Sequence, residues 1–529
     1  MSERQFAIVV LGCTACLALR AEAVVDPCGF GARPDGQTLC TEPIQKAIDA
    51  SAAAGGGTVR LAGGKFLSGT IYLRDHVTLE IAAGATLLGS TNIAHYPQNI
   101  PAIRSYTDNY VKQSLIAGEN LENIGLVGRG LIDGQGESFK MADRTRPYEN
   151  RPYLIRLVNC RDVLVEGLRL ERSAMWMQHY LGCERVIMRG IRVRNFGNAN
   201  NDGLDLDGCK DCAVSGCVFE SDDDGITLKS TFERPCERIS ISDCVARSHC
   251  NAIKMGTESN GGFMDITIAN CVVTSPPDDA RLIYGMQRGM CGLALELVDG
   301  GRLERIAVAN ITIQGVNVPL FLRLGDRARP FKEGMPPPPT GSLRDVVIAN
   351  IVATGVGKTG CSITGLPGHP VENVSFNNIM LSFEGGGARD LAARQVPEVA
   401  EKYPESKMFG DLPAYGFYCR HVRGLRFSNV QLRTAAPDLR HAIVFDDVEN
   451  LAVDGLDAAT CSGGAPALGL VQCRDALIRG CRPRAKDGAF LRVAGDRSGG
   501  VALVGNDLGG VASVTEVSGD VPKDAVTVK

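Results

Sequence analysis

Short runs of alternating apolar and polar residues recur along most of the chain, and each run is interrupted by Asn, Asp or Gly before the alternation resumes. The segments 186–191, 239–244, 266–271 and 346–351 have this pattern. A period of two is typical of strands with one buried face, and the interrupting residues favour tight bends. The pattern therefore predicts many short strands that end at corners.

Copies of this pattern return at a nearly constant distance, for example 27 residues between the copies that begin at Ile239 and Ile266. A fixed period of this size is typical of coils that stack on one another, because a single coil cannot bury its apolar face alone. We therefore expect an all-β fold, a parallel β-solenoid of about a dozen coils.

The sequence offers a cover for each end of this stack. We expect a short capping helix at 41–54, within an N-terminal cap 24–60, and closure of the other end by the weakly repeating residues 488–529. Residues 24–529 are thus interpreted as a single β-helix domain. The apolar face of the helix consists of Ile44, Ala47, Ile48 and Ala52.

The N-terminal residues 1–23 resemble a secretory signal peptide. Arg4 supplies a positive charge, residues 6–19 form an apolar run, and the small-x-small pattern at 21–23 is typical of a cleavage site. The run is shorter than the ~20 apolar residues of a membrane span, and no later segment reaches that length. We expect a secreted or periplasmic protein with no membrane span.

The charge balance excludes one class of partner. Lys and Arg total 56, Asp and Glu total 60, and the net charge is −4. No basic stripe runs through the chain, so nucleic acid is not an expected partner. The apolar share of 44% and the charged share of 22% are ordinary for a folded protein.

The chain has 19 cysteines, and several of them follow the repeat. Removing Cys13 and Cys16 with the signal leaves an odd number, which excludes a fully paired disulfide framework. We expect ladders of free, buried thiols, with Cys28 and Cys40 as the best candidate for a disulfide. Two series occupy the same phase of successive coils, Cys160, Cys183, Cys209 and Cys236, and Cys217, Cys244 and Cys271.

Alignment of the coils at 202–207, 224–229, 251–256 and 292–296 separates inward from outward positions. The apolar columns face the core, and alternation then assigns the polar columns to the outer face. The outward positions are Asp205, Thr227, Lys254 and Ala294, and Asp207, Lys229, Gly256 and Glu296, with Trp176 before them and Arg323 after them.

Three carboxylates, Asp202, Asp223 and Asp224, precede these strands in adjacent coils. Like charges at this range raise the pKa of at least one of them. A protonated carboxyl beside an ionised one can cleave a glycosidic bond, since one protonates the leaving oxygen and the other activates water. The neighbouring Lys and Arg residues can hold an anionic sugar, and the single Trp can stack on a sugar ring.

Simpler interpretations remain open at this point. The acidic run 222–224 can bond its own backbone in a turn, or bind calcium. Lys229 and Lys254 can merely neutralise the carboxylates, and Trp176 can fill space in the groove.

The sequence resembles glycoside hydrolase family 28, the polygalacturonase family. The segment 201–203 followed by Asp205 is similar to the family's Asn-Thr-Asp-Gly-x-Asp motif, and the pair at 223–224 is similar to its Asp-Asp motif. The resemblance implies a right-handed parallel β-helix and inverting hydrolysis of a pectic polysaccharide. It also implies that Asp223 is the general acid and that Asp202 and Asp224 hold and activate water.

Two of the family's motifs are altered in this sequence. Asn251 stands where the family has a His, and Ala294 and Glu296 stand where it has the Arg and Lys that grip the galacturonate carboxylate. Either other cations replace this clamp, or the sugar at the cleavage point is neutral or differently linked. The candidate substrate-binding residues are Asn251, Lys254, Lys229, Asp205, Glu296, Arg323 and Trp176.

We therefore expect a glycoside hydrolase that acts on a pectic polysaccharide or oligosaccharide as a monomer, with no metal or cofactor. The insertions at 326–341 and 385–415 can wall off one groove end and favour cleavage from chain ends. A polysaccharide lyase or uronate epimerase that uses calcium, and a non-catalytic glycan-binding β-helix, are the alternatives.

Overall fold

The computed structural model describes residues 24–104, 111–140, 149–276, 285–484 and 488–529. The predicted signal peptide lies outside these residues. The strands form one 40-stranded sheet in which all pairings between the described strands are parallel and join neighbouring coils. The prediction of an all-β parallel β-helix is confirmed.

Each coil contributes up to three strands, and the equivalent strands of successive coils stack into three ladders. The ladders are named A, B and C in the order in which the chain passes through them within one coil. Five long strands turn corners without a break and belong to more than one ladder.

Ladder A contains Val24–Val25, Gly57–Leu61, Val77–Ile81, Glu122–Gly128, Arg161–Glu166, Glu184–Arg189, Lys210–Ser215, Cys236–Ser242, Phe263–Ala269, Arg474–Arg479, Gly499–Val504 and Val526–Val528. Ladder B contains Asp35–Leu39, Gly64–Ser68, Ala85–Gly89, Leu131–Asp133, Arg169–Glu171, Arg192–Asn195, Val218–Ser221, Val245–Ser248, Val272–Thr274 and Arg482–Pro483. Ladder C contains Ile71–Tyr72, Ser114–Glu119, Tyr153–Val158, Gln178–Leu181, Leu204–Asp207, Ile226–Ser230, Asn251–Ser259, Cys291–Leu297, Val318–Leu324, Cys361–Thr364, Leu468–Val471, Ala489–Ala494 and Ser513–Val517. The long strands are Arg302–Gln314, Ser342–Val356, Val371–Phe383, Ala414–Thr434 and His441–Ala458.

The corner between ladders A and B explains the Asn residues that interrupt the repeat. Asn270, Asn310, Asn350, Asn378 and Asn429 all have a positive φ between 51° and 59°, a conformation that Asn adopts more readily than most residues. Their side-chain amides donate to one another in series at 2.9–3.0 Å. Each coil therefore bends at the same place, which keeps its two flanking strands in register with those of the next coil.

The helix Thr41–Ala53 packs against the first coils, as the sequence predicts. Its buried side chains are Ile44, Ala47, Ile48 and Ser51. Short 3-10 helices occupy Pro27–Phe30, Ile93–His95, Gly136–Ser138 and Arg389–Ala393. Within the described ranges, no helix is long and apolar enough to cross a bilayer.

The cysteines support the stack as free thiols. All 17 cysteines from Cys28 onward are free, and the same-phase series along the coils is buried. The disulfide proposed between Cys28 and Cys40 is not formed, because Cys40 lies buried against the Arg33 backbone while Cys28 is exposed.

Candidate active site

Ladder C brings the sequence-predicted residues together on its outer face. Asp205, Thr227, Lys254 and Ala294 are direct neighbours in successive strands, in the register that the repeat predicts. Asp202 and Asp224 precede their strands in adjacent coils, where the Gly203 N–H donates to the Asp224 carbonyl at 2.9 Å. The predicted carboxylates therefore converge at the entry to this ladder.

Asp224 is surrounded by groups that stabilise its ionised form. Asn251 donates from Nδ2 to Oδ1 at 2.7 Å, and Lys254 Nζ lies 3.0 Å from Oδ2. Burial alone raises the pKa of this carboxyl, but Lys254, Lys229 and Asn251 outweigh it and lower the pKa below its ordinary value. Asp224 is thus the ionised member of the cluster.

Asp202 has the opposite electrostatic environment. Burial, reinforced by Asp205 and Asp223, raises its pKa well above the ordinary value even though Lys229 opposes the shift. Lys229 Nζ lies 3.5 Å from Asp202 Oδ2 and 3.5 Å from Asp205 Oδ1. Burial also raises the pKa of Asp205 to about 8, so this pair of neighbouring carboxyls retains at least one proton at neutral pH.

Asp223 is the most accessible of the three predicted catalytic carboxylates. It is half-buried, whereas Asp202 and Asp224 are 2% and 3% exposed. Its Oδ1 accepts from the Asp224 N–H at 3.0 Å, and Ser221 and Ser248 bind its backbone carbonyl. This carboxylate is therefore fixed by its own loop and can reach a ligand from the outer face.

Glu296, which the resemblance aligns with a family cation, is buried without a hydrogen-bond donor among the described residues. The side chain is fully buried, and neither carboxylate oxygen has a hydrogen-bond partner among the described residues. The Lys254 ammonium is 3.7 Å from Oε2. Burial raises the pKa of Glu296 to about 8, and Asp224 and Glu405 add to the shift.

Residues 396–412, here named the covering segment, lie across ladder C next to Glu296. The Arg323 guanidinium donates to the carbonyls of Glu398 and Val399 at 3.0 and 3.3 Å, so Arg323 is fully buried beneath the segment. Burial lowers the pKa of this guanidinium to about 10. The structure thus places Arg323 away from the carboxylate cluster. One apolar cluster joins the segment to the ladder: Val396, Met408, Phe409 and Leu412 with Cys291, Ala294, Val318 and Phe321.

Trp176 also lies inside the structure instead of forming an open platform. It is 6% exposed, and its ring lies 4.5 Å from the Lys229 ammonium and 5.2 Å from the His179 ring. His179 is 3.0 Å from an Asp207 oxygen. The ring therefore contacts Lys229, the cation that faces Asp202.

The insertions add functional groups that the repeat could not predict. Tyr403 of the covering segment is 48% exposed, and its ring centroid lies 5.9 Å from Lys254 Nζ and 5.4 Å from the Arg327 guanidinium carbon. Arg329 donates to Glu258 at 2.6 Å. Burial opposes ionisation of Glu258, but Lys229, Arg329 and Arg327 lower its pKa. The sequence offered one signal for Arg327 and Arg329, namely that both lie inside the long insertion 326–341.

Within the ranges that the structure describes, one group of residues could offer atoms to a metal ion. Ligand atoms of Asp223, Asp224 and Cys250 lie within 4.8 Å of one another. Calcium prefers an all-oxygen shell, and a thiol does not suit it. The third carboxylate of the acidic run does not join this group, because Asp222 binds the His249 ring at 3.0 Å and the Gly197 N–H at 2.7 Å.

Known proteins resemble this chain over most of its length. A probable polygalacturonase from Vitis vinifera is 25% identical over 66% of this chain and 73% of its own. A polygalacturonase from Ralstonia nicotianae is 36% identical over 54% of this chain and 62% of its own.

Solved structures share the architecture, a right-handed parallel β-helix. A hyperthermoactive exopolygalacturonase from Thermotoga maritima superposes with a TM-score of 0.54 at 24% identity, covering 69% of this chain and 88% of its own. A family 28 exopolygalacturonase from Yersinia enterocolitica gives 0.56 at 18% identity, covering 95% and 79%. Residues 58–400 match the family model described as glycosyl hydrolases family 28. Because this match extends over more than half of the sequence, the chain belongs to glycosyl hydrolases family 28 and is a glycoside hydrolase.

Proposed function

We propose that the protein hydrolyses glycosidic bonds of a pectic polysaccharide with inversion at the anomeric carbon. Relatives named as polygalacturonases support the substrate class. The observation that carries the chemistry is the coexistence of protonated and ionised carboxyls in one cluster, since Asp202 has a raised pKa and Asp224 a lowered one. The attacking water therefore meets a neutral carboxyl that can donate a hydrogen bond to it and an ionised carboxyl that can take its proton, which leaves the accessible Asp223 to serve as the general acid.

In this mechanism Asp223, the accessible carboxyl, gives a proton to the glycosidic oxygen as the bond to the anomeric carbon breaks. A water molecule attacks that carbon from the opposite face, and ionised Asp224 takes its proton. Asp202, kept neutral by burial and its acidic neighbours, donates a hydrogen bond that helps to hold the water. The products are a sugar with inverted configuration at its new reducing end and a shortened chain.

We also propose that cleavage starts at chain ends. The covering segment occupies the outer face of ladder C beyond Ala294, where Val396 and Phe409 pack on the strand. A polysaccharide that reaches Asp224 therefore cannot continue along the ladder in that direction. The cations left to recognise a sugar carboxylate beside Tyr403 are Lys254 and Arg327.

The test compares wild type with Asp223→Asn and Asp224→Asn on polygalacturonate, rhamnogalacturonan and neutral galactan. Proton NMR in the first minutes identifies the anomer formed, and chromatography gives product size. We expect inverted mono- or disaccharide products from a pectic substrate and a loss of at least ~10³-fold in kcat for both variants. Asp211→Asn, which changes an exposed carboxylate paired with Arg238, is the matched control.

Three outcomes contradict this proposal. Retention of configuration excludes the inverting mechanism, and unsaturated products that absorb ultraviolet light indicate a lyase. Glycan binding without turnover by wild type indicates a non-catalytic protein. Long internal fragments at early times contradict the end-acting mode alone.

We propose in addition that the chain is exported, on the strength of the signal-like residues 1–23. Expression of the full chain with a C-terminal tag, followed by fractionation and mass spectrometry, tests this. The expected mature N-terminus is Val24, and a cytoplasmic chain that keeps Met1 contradicts export.

A further inference from the structure

A second recess opens on the outer face of ladder C, on the far side of the covering segment. Its cavity measures about 200 Å³, and its floor is formed by Val444 and Gly469. Lys254 and Val444 occupy the same column of ladder C. The residues paired between them in successive strands are Ala294, Phe321, Ser362 and Tyr418. Five steps of ~4.8 Å put the recess ~24 Å from Lys254 along the stack. It is thus separate from the carboxylate cluster.

The recess contains polar groups that suit sugar hydroxyls. The Tyr418 hydroxyl donates to Asp446 Oδ2 at 2.9 Å. His441 Nδ1 lies 2.6 Å from the Pro466 carbonyl, which can only accept, so Nδ1 carries the proton and Nε2 is an acceptor. Burial lowers the pKa of His441 to about 4, so this ring stays neutral.

Two guanidinium groups line the same recess without a carboxylate partner. Arg492 is exposed and forms no ion pair with a carboxylate of the described residues. Arg394 donates from Nη2 to the Phe409 carbonyl at 2.8 Å, while its buried Nη1 has no acceptor in the part of the chain that the structure describes. An unpaired guanidinium beside a cavity favours a carboxylate ligand, which it can bind through two hydrogen bonds.

Gly469 keeps the floor of the recess open. It lies within a strand and has no positive φ, so the backbone does not require glycine there. A Cβ atom at this position would lie 3.4 Å from the His441 ring and 3.4 Å from Val444 Cγ2, and a longer side chain would enter the cavity. Glycine within a strand lowers stability, and close approach of a ligand is one of the reasons for which it is found there.

We propose that this recess binds one carboxylate-bearing sugar residue of the polysaccharide, away from the point of cleavage. Arg492 and Arg394 would bind the sugar carboxylate, and Asp446 and His441 Nε2 would accept from its hydroxyls. The proposal rests on the pectic substrate proposed above. Because the covering segment blocks the direct path along ladder C, the recess would bind a distant part of the same polymer that passes around this segment. Long chains would then gain affinity from a second anchor, whereas short oligosaccharides would not.

The direct test measures digalacturonate binding to the Asp223→Asn protein by calorimetry. We expect two sites per chain, and one site after addition of either Gly469→Val or Arg492→Ala. Arg474→Ala, an exposed arginine on ladder A, is the control that keeps both sites. Galactobiose, the neutral probe, is expected to leave the recess empty. Equal binding of both disaccharides contradicts carboxylate recognition, and a stoichiometry unchanged by both variants overturns the proposal.

A kinetic test separates this inference from the proposed function. In the otherwise wild-type enzyme, Gly469→Val and Arg492→Ala are each expected to raise KM for polygalacturonate at least fivefold. Both should leave kcat, and kcat/KM for trigalacturonate, unchanged. If the wild type cleaves no pectic substrate but Gly469→Val or Arg492→Ala still removes one digalacturonate site, only the proposed hydrolytic function is contradicted. Normal cleavage with unchanged polymer KM in both folded variants contradicts the recess alone.

Discussion

Glu296→Gln tests whether the site contains a carboxyl that is neutral at working pH. Glu296 is fully buried with no hydrogen-bond donor on either oxygen, and its pKa is raised to about 8. The unfolded chain releases this proton near the ordinary Glu pKa of ~4.3. The native state therefore holds a proton that the unfolded state loses, and stability falls as the pH rises from ~4.3 towards 8.

The size of this effect follows from linkage. One pKa unit corresponds to ~1.4 kcal/mol, so the cost of Glu296 to the free energy of unfolding grows by roughly 3–4 kcal/mol between pH 5 and pH 8. Gln is isosteric with the protonated acid and has no such dependence. For a chain of about 500 residues, whose unfolding entropy is ~1 kcal/mol/K, the melting temperature of the variant should gain about 3 °C on wild type over this range.

The assay is a melting curve for each protein at half-unit steps from pH 5 to pH 8. The informative quantity is the difference in Tm between variant and wild type, because other titrating groups contribute equally to both. Glu258→Gln is the matched control. The pKa of Glu258 is lowered, so its contribution to stability is lost only below the ordinary Glu pKa. The difference in Tm between Glu258→Gln and wild type should therefore stay constant from pH 5 to pH 8. A constant difference for Glu296→Gln as well would refute the assignment of a neutral carboxyl.

Three further predictions follow from the described contacts. Lys254→Met removes the ammonium 3.0 Å from Asp224, so the pKa of Asp224 should rise. The acidic limb of the pH profile of kcat/KM should then move to higher pH, and kcat should fall by ~10²-fold or more. An acidic limb that does not move contradicts this pairing of Lys254 with Asp224. Arg323→Ala removes the donor to the backbone carbonyls of residues 398–399 and so should loosen the covering segment. Limited proteolysis should then cut within 396–412, and the viscosity of polygalacturonate should fall faster per bond cleaved. Unchanged resistance to the protease and an unchanged fall in viscosity argue against anchoring of the segment by Arg323. Thiol titration of the denatured chain without reductant should find all 17 cysteines of the described residues free, and a lower count indicates a disulfide.

The stack and the position of its carboxylates were predictable because both follow from the repeat. Once the inward column is fixed, the period of two assigns every alternate residue to the outer face, and the coil length assigns its neighbours. This reasoning gives the register of Asp205, Thr227 and Lys254 without error. The Asn residues at the corner were equally readable, since their positive φ is a local property.

Solvent exposure on that outer face was not predictable, because it depends on segments outside the repeat. Trp176 and Arg323 do point away from the core of the coils, yet one packs beneath Lys229 and the other beneath the covering segment. A period of two reports which side of a strand a residue occupies. It does not report what long-range chain segment then covers that side.

The structure thus divides the chemistry of the site between two kinds of segment. The coils supply the three carboxylates and both lysines, whose spacing is fixed by backbone hydrogen bonds between strands. The insertions supply Tyr403, Arg327 and Arg329, which reach the same space from loops. In the proposed mechanism the carboxylates of the coils perform the cleavage, whereas Lys254 shares recognition of the sugar with Arg327 and Tyr403 of the insertions. Changes in the insertions are therefore expected to alter which pectic residue is bound while the proposed hydrolytic groups stay in place. For this reason Ala294 and Glu296, which the resemblance aligns with the family cations, are compatible with the proposed pectic substrate.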